Sequence, residues 1–168
     1  MKQNSSAFFV FLCYNEKEGI EIMKIGFASD HRGYALKEYL KQALLERNYE
    51  VLDFGTNQEE SVDYPDFAFA LGESVSKKET DFGVAICGSG IGISIACNKV
   101  KGIRCAKVST IEEAKITRND NDSNIIALSE TTPAEEALQM ILSFLATEFS
   151  SEEKHHRRVE KIKQYEEQ

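Results

Sequence analysis

The chain has 168 residues, of which 42% are hydrophobic and 29% charged, and its formal net charge is −8. These values predict one soluble globular domain with a single packed core. The negative charge argues against nucleic-acid binding, which needs a basic surface. No apolar run reaches the length of a membrane span, so we expect no membrane contact. The four cysteines lack zinc-ligand spacing and any disulfide framework, which predicts no metal and a reducing, cytoplasmic environment.

Residues 1–22 are predicted to be an N-terminal extension with no assigned function, and the domain is expected to span residues 23–168. The apolar segment from Ala7 to Tyr14 is short and has no small-residue cleavage site, so it is a poor match to a signal peptide. The residues from Met23 to Gly26 are typical of the start of a folded domain.

From Met23 onward, short apolar runs of strand length alternate with segments of helical spacing. The predicted strands are Lys24–Ala28, Glu50–Phe54, Asp81–Cys87, Arg104–Val108 and Asn124–Leu128. Apolar stripes predict one helix through Leu36, Leu40, Ala43 and Leu44 and another after Pro133, and the charged tail from Ser151 to Gln168 is predicted to be a last helix. This alternation predicts an α/β fold, a doubly wound three-layer α/β/α sandwich with a five-stranded parallel sheet in the order 2-1-3-4-5.

Two polar, glycine-bearing loops follow the first and third predicted strands. Ser29-Asp30-His31-Arg32-Gly33 follows the first strand, and Cys87-Gly88-Ser89-Gly90-Ile91-Gly92 follows the third. In a doubly wound sheet, ligands bind beyond the carboxyl ends of the strands, where the strand order reverses. The predicted order puts that point between these two strands, so we expect the loops to face each other across a binding crevice.

The glycine-rich loop allows two interpretations. Exposed backbone N–H groups at Gly88, Gly90 and Gly92, together with the start of a helix, suit a phosphate or a developing oxyanion. The alternative is a purely structural strand-to-helix turn. The spacing differs from the dinucleotide fingerprint and no Walker lysine follows, which disfavours a nucleotide. Cys87 also allows two interpretations. A thiol at a helix N-terminus can act as a base or nucleophile, whereas a strand-end cysteine is often only a small buried hydrophobe.

Other polar side chains could complete such a site. Asp30 and His31 could hold sugar hydroxyls or a ring oxygen, although Asp30 could equally cap the helix that follows. Ser89 offers a hydroxyl in the same space. The basic cluster from Lys154 to Arg158 is either a solvated helix face or an anion site, and the latter requires that the tail reach the crevice.

The segments DHRGYALKEYL, DFGT, DYPDFA, ICGSGIGISIACNK, GIR and HHRRVEKI occur in this order. Together they closely resemble the B-type ribose-5-phosphate isomerases, whose superfamily also contains the galactose-6-phosphate isomerase subunits. The resemblance covers about Met23 to Ile162. It implies a homodimer with shared active sites, which could pair further into a tetramer, and a C-terminal helix that reaches the partner. It also implies metal-free, cofactor-free interconversion of ribose 5-phosphate and ribulose 5-phosphate through an enediolate, in the pentose phosphate pathway.

The resemblance also assigns roles to individual residues. Cys87 matches the catalytic base, and the anion hole of the enediolate corresponds to Gly88, Ser89, Gly90, Ile91 and Gly92. Other substrate contacts are implied for Asp30, His31, Tyr64 and Asn121. Lys154 and Arg158 match two phosphate-binding arginines that reach across from the partner subunit.

Three positions depart from the family pattern. Asp120 stands where the family usually has a histidine that assists ring opening, so we expect Asp120, His31 or water to take this part. Thr131 stands where many family members have an arginine near the phosphate. Lys154 replaces a second arginine, so it keeps the positive charge but lacks the guanidinium fork. These changes leave two alternatives open: an isomerase of a hexose 6-phosphate of the allose or galactose type, and a non-catalytic sugar-phosphate binding protein.

Overall fold

The computed structural model describes residues 22–168, so the expectation for residues 1–21 of the extension lies outside the described residues. The strands are β1 (Lys24–Ser29), β2 (Glu50–Asp53), β3 (Phe82–Cys87), β4 (Cys105–Lys107) and β5 (Ile125–Ser129). The helices are α1 (Tyr34–Leu45), α2 (Tyr64–Ser76), α3 (Ile91–Cys97), α4 (Ile111–Asn121), α5 (Ala134–Leu145) and α6 (Glu153–Glu166). Every predicted strand forms, with each end within one residue of its predicted position.

The five strands form one parallel sheet in the order β2-β1-β3-β5-β4. The α/β class and the parallel sheet are confirmed, but the predicted order 2-1-3-4-5 is wrong at one edge, because β5 and not β4 pairs with β3. The physical reason is burial. The first four residues of β5 are fully buried and need neighbours on both sides, whereas β4 has only three residues, all partly exposed, and suits an edge.

Helices cover both faces of the sheet, as the three-layer prediction requires. On one face, α1, α4 and α5 pack against β-strand side chains that include Phe27, Ile86 and Leu128. On the other face, α2 and α3 pack against Ala85, Ile125 and neighbouring residues. The predicted apolar stripe of α1 is buried. None of the helices among residues 22–168 is long and apolar enough to cross a bilayer.

Helix α6 lies outside these layers, against the ends of other elements. Near its start, Nε2 of His155 is 3.8 Å from Oδ1 of Asp120 on α4. Near its end, Glu166 accepts a hydrogen bond of 3.1 Å from the backbone N–H of Gly102, in the loop before β4. Only His155 and Val159 of this helix are buried, and Ile162 remains 46% exposed.

Candidate active site

The loops that follow β1 and β3 meet at the carboxyl edge of the sheet, where the sequence predicted a crevice. β1 and β3 pair directly, and the backbone N–H of Asp30 donates to the carbonyl of Ile86 at 3.2 Å. A cleft of about 360 Å³ opens there, hereafter the Cys87 cleft. It is lined by Asp30, Arg32, Tyr64, Cys87, Gly88, Ser89 and Gly92.

Cys87 is the last residue of β3 and lines the cleft while being only 4% exposed. Its backbone carbonyl accepts a hydrogen bond of 2.9 Å from the N–H of Glu130, which holds the strand end against the loop after β5. The other two described cysteines, Cys97 and Cys105, do not line the cleft. A hydrogen bond with Cys97, together with burial, raises the pKa of the Cys105 thiol well above its usual value, so this thiol stays protonated at neutral pH.

The loop from Gly88 to Gly92, hereafter the glycine loop, presents backbone donors to the cleft. Gly90 has a φ of +76°, which favours glycine, and a Cβ added there would lie 2.9 Å from the backbone carbon of Leu128. Within the described chain, the backbone N–H groups of Ser89, Gly90 and Gly92 donate to no protein acceptor. The Ser89 hydroxyl accepts from the N–H of Ile91 at 3.2 Å, so its own proton is left free to be donated.

Tyr64, the first residue of α2, closes one side of the cleft. A Cβ added at Gly92 would come within 2.7 Å of its ring carbon Cζ and 2.8 Å of its hydroxyl oxygen, so the ring lies directly on Gly92. This close approach brings a phenol hydroxyl beside the glycine loop. Such a group can donate to or accept from a polar ligand.

Asp30 and His31 are held in the turn before α1. Oδ1 of Asp30 accepts two backbone hydrogen bonds of 3.0 Å, from Arg32 and Gly33, so its second oxygen is left for a ligand. Nδ1 of His31 accepts a bond of 3.3 Å from the N–H of Val62, in the loop before α2. A neutral His31 therefore carries its proton on Nε2 and can donate it to a ligand oxygen.

Two residues of this region were not predicted from the sequence to belong to the site. Arg32 lines the cleft, where the hydrogen bond and the charge of Glu130 raise its pKa further above the usual value, so it stays a cation. Its position directly after Asp30 and His31 was an available signal. Lys37 on α1 is fully buried and supports the loop after β2 through Asp53. Nothing in its local pattern distinguishes it from a solvated helix residue.

Four predicted site residues lie away from the Cys87 cleft of their own chain. Asn121 ends α4, and its carbonyl accepts a hydrogen bond of 3.0 Å from Arg104, the residue just before β4. Asp120 adjoins it, and α6 with Lys154 and Arg158 begins beside Asp120. This is the amino edge of the sheet, opposite to the edge where β3 ends at Cys87.

Strand length gives the separation between the two edges. Gly83 and Cys105 both pair with Ile125 near the amino edge, and Cys87 is four residues further along β3. At about 3.3 Å per residue, the edges are about 13 Å apart along the strands. Among residues 22–168, no group of three His, Cys, Asp or Glu side chains is arranged to hold a metal ion.

A doubly wound α/β fold with a thiol, a hydroxyl and free backbone donors at the carboxyl edge of its sheet defines a class of small-molecule enzymes. Comparison with known proteins narrows this class. The family described as Ribose/Galactose Isomerase matches residues 25–162. The chain therefore belongs to the ribose/galactose isomerase family, and the predicted family and the prediction of an isomerase are confirmed.

Three relatives illustrate the match. Ribose-5-phosphate isomerase B of Escherichia coli is 39% identical, covering 83% of this chain and 93% of its own. The structure of ribose-5-phosphate isomerase B of Clostridium thermocellum is 47% identical with a TM-score of 0.84, covering 86% and 98% of the two chains. That of Mycoplasma genitalium, solved with bound ribulose-5-phosphate, is 36% identical with a TM-score of 0.83, covering 87% and 97%.

Proposed function

We propose that this protein interconverts ribose 5-phosphate and ribulose 5-phosphate, with Cys87 as the base. One observation carries the proposal: a thiol at the end of β3 lines a cleft together with Ser89 and Gly92 of the glycine loop, whose backbone N–H groups have no protein acceptor. The relatives named above are ribose-5-phosphate isomerases, and one of them binds ribulose-5-phosphate. Family membership and site chemistry therefore support the same reaction.

The proposed reaction moves one carbon-bound proton between neighbouring carbons. The Cys87 thiolate removes the proton from C2 of the open-chain aldose, and the electrons of that bond form the C1–C2 double bond of an enediolate. The same thiol then returns the proton to C1, while a proton passes from O2 to O1 and C2 becomes the carbonyl carbon of the ketose. We assign this second transfer to the Ser89 hydroxyl, which gives its free proton to O1 and takes the proton of O2, so that Ser89 ends unchanged. Atoms and charge balance without a metal or a cofactor.

The glycine loop would stabilise the enediolate. A proton next to a carbonyl is only weakly acidic, so the developing oxyanion needs oriented donors. The unpaired N–H groups of Ser89 and Gly92 suit this task, because both residues line the cleft and neither N–H is already used by a protein acceptor. Removing one such donor in a protease costs about 2.7–4 kcal/mol. Two such donors at one loop would therefore supply a large share of the stabilisation that the reaction requires.

A second copy of the chain would complete the site. Lys154 and Arg158 begin α6 at the amino edge, about 13 Å along the strands from Cys87 in the same chain. A symmetric dimer that sets the amino edge of one chain against the carboxyl edge of the other would bring these cations to the cleft. Ile91 and Ile95, one turn apart on α3 beside the cleft, are each 56% exposed and offer an apolar face for such contact.

In this dimer, the phosphate group would bind Lys154 and Arg158, far from the reacting carbons, and so orient the sugar. Asn121 and Asp120 would reach the opposite side of the sugar. We assign ring opening to Asp120, whose carboxylate faces the imidazole of His155 at 3.8 Å. A carboxylate beside an imidazole can exchange a proton with a sugar oxygen through either partner.

The decisive experiment measures ribulose 5-phosphate formation from ribose 5-phosphate by the purified protein in EDTA. We expect turnover by the wild type and a loss of at least about 10³-fold in Cys87→Ala, the scale of a missing general base, with ribose 5-phosphate still bound. Cys97→Ala is the matched control, since it removes a buried thiol outside the cleft. It should retain turnover.

The other outcomes select among the alternatives. If Cys87→Ala turns over as fast as the wild type, Cys87 is not the base. A folded wild type that fails with ribose 5-phosphate but converts an aldohexose 6-phosphate is a hexose-phosphate isomerase. Binding of sugar phosphates without turnover of any of them identifies a non-catalytic binding protein. Activity lost in EDTA and restored by a divalent ion contradicts the metal-free mechanism.

A further inference from the structure

Arg32 lies at the mouth of the Cys87 cleft. A Cβ added at Gly88 would come within 2.5 Å of its Nη1 and 2.7 Å of its Cζ, so the guanidinium lies across the backbone of Gly88. Arg32 is the one basic side chain among the seven cleft-lining residues, and it is 55% exposed. A permanent cation is therefore open to any ligand that enters the cleft.

The backbone of Arg32 is held in place although its side chain is exposed. Its N–H donates to Oδ1 of Asp30 at 3.0 Å, within the turn that starts α1. The Cα atom of Arg32, from which the side chain extends, is therefore held in place beside the cleft. A guanidinium on such a base loses less conformational entropy on binding than one on a mobile loop.

The partner of Arg32 in the structure is Glu130. Nη2 of Arg32 donates to Oε1 of Glu130, and the backbone N–H of Glu130 donates to the carbonyl of Cys87 at 2.9 Å. The two charges therefore meet above the end of β3, next to the proposed base. The guanidinium of this ion pair is exposed to solvent, so the pair is weak and an anion with more charge can displace the carboxylate.

We propose, building on the proposed function, that Arg32 binds the phosphate group of the sugar substrate. Glu130 holds this guanidinium over the end of β3 only when the cleft is empty, and on binding the exposed side chain leaves Glu130 and turns away from Cys87 toward the phosphate. A phosphate dianion offers two oxygens to the planar guanidinium fork and carries twice the charge of a carboxylate. Arg32 then adds a cation from the chain that owns the cleft to Lys154 and Arg158 of the second copy. Glu130 is a competitor of the substrate.

This role has a consequence that a structural ion pair does not share. Removing the cation weakens phosphate binding, whereas removing the competing carboxylate strengthens it. Arg32→Gln and Glu130→Gln therefore act in opposite directions on the KM for ribose 5-phosphate. If the pair merely ties two loops together, both variants break the same tie and act in the same direction.

The experiment measures KM and kcat for ribose 5-phosphate, the inhibition constant of inorganic phosphate, and ribose 5-phosphate affinity by calorimetry. For Arg32→Gln, we expect KM and the inhibition constant to rise about 10- to 100-fold, the range for a lost hydrogen bond to a charged group, while kcat stays within about threefold. For Glu130→Gln, both constants should fall severalfold. Lys77→Gln, which breaks an exposed pair with Glu73, is the matched control and should change neither.

Several results would overturn this assignment. One is a shift of KM in the same direction in both variants. Another is a rise in KM for Arg32→Gln with an unchanged inhibition constant of inorganic phosphate, since Arg32 would then contact the sugar and not the phosphate. A wild type that binds neither phosphate nor ribose 5-phosphate also excludes it. A wild type that binds ribose 5-phosphate with the expected variant pattern but does not turn it over refutes only the proposed function.

Discussion

Gly92 and Gly33 show how single glycines shape the site in different ways. A Cβ at Gly92 would collide with the far end of the Tyr64 side chain, at 2.7 Å from Cζ. A Cβ at Gly33 would instead lie 2.7 Å from the backbone oxygen of Ile86, next to Cys87. A ring at the end of a side chain can swing away, but the backbone in the middle of a sheet cannot. The first glycine therefore shapes the ligand space, and the second allows the loops to pack.

We predict that Gly92→Ala moves the Tyr64 ring and lowers kcat/KM for ribose 5-phosphate by about tenfold or more. Gly92→Ala should lower the free energy of unfolding by only about 1 kcal/mol, because the ring can swing away. Gly33→Ala should cost about 3 kcal/mol, the upper part of the range for overpacking. Steady-state kinetics and urea denaturation measure both quantities. Equal stability losses in the two variants would contradict this distinction.

At the scale of elements, a buried lysine joins α1 to the loop that follows β2. Nζ of Lys37 is inaccessible to solvent and donates to both carboxylate oxygens of Asp53, at 2.6 and 2.7 Å, and to the carbonyl of Thr56 at 2.7 Å. All three ammonium protons are thereby used. Thr56 in turn donates to the carbonyl of Ser29 at 2.8 Å, one residue before Asp30. Helix α1 thus holds this loop against the part of β1 that carries the site.

Lys37→Met should lower the free energy of unfolding by about 3 kcal/mol at neutral pH, because it leaves Asp53 without its buried partner. That value is at the low end for a broken buried pair, since Asp53 keeps Lys41. Urea denaturation measures the loss. Lys77→Met, which breaks an exposed pair, is the control and should leave the free energy of unfolding nearly unchanged. Similar losses in both variants would show that the buried pair stabilises the fold no more than an exposed pair does.

The same pair predicts a dependence of stability on pH. Burial opposes ionisation of Asp53, but hydrogen bonds from Lys37 and Lys41 and from the N–H of Gly55 outweigh it and hold the pKa of Asp53 below its usual value. A lowered native pKa contributes stability above the unfolded value of about 3.9, and this contribution is lost as pH falls through the native value. The stability difference between wild type and Lys37→Met should therefore shrink from pH 6 toward pH 3. A constant difference would contradict this linkage.

At the scale of the whole molecule, the two groups of predicted site residues lie at opposite edges of one sheet. Cys87 and the glycine loop follow β3 at the carboxyl edge, whereas Asn121 ends α4 beside the start of β4 at the amino edge. This follows from the topology, because a helix that leaves one edge of a parallel sheet must return the chain to the other. A single chain would therefore carry two half-sites, which our proposed dimer joins.

We predict that Cys87→Ala and Arg158→Ala, each inactive alone, regain activity when mixed. A mixed dimer would hold one site with both defects and one with none. Random pairing makes about half of the dimers mixed, so activity should return to about a quarter of the wild-type value. Two affinity tags allow the mixed dimers to be isolated and assayed.

Cys87→Ala mixed with Asp30→Ala is the control for subunit exchange, because both defects lie in the cleft of one chain and neither site of the mixed dimer is intact. No activity should return there. Recovery in the control, or its absence in the test pair, would contradict a site shared between chains.

Local sequence determined most of the secondary structure and one half of the candidate site. The strand ends, the buried stripe of α1 and the polar loops after β1 and β3 depend on apolar spacing and turn residues within a few positions, and all were predicted. The glycine loop beside Cys87 and its neighbour Asp30 also follow from such local signals. The motifs carrying the family resemblance are short and contiguous for the same reason.

The tertiary structure alone decided which distant parts meet. The choice of β5 over β4 as the neighbour of β3 depends on burial of whole strands, which no short pattern encodes. Arg32 and Glu130 are 98 positions apart, and Asp120 proved to lie at the opposite edge from Cys87. Apolar periodicity shows which face of an element is buried, but a charged side chain obtains its partner only when the packed elements bring one within reach.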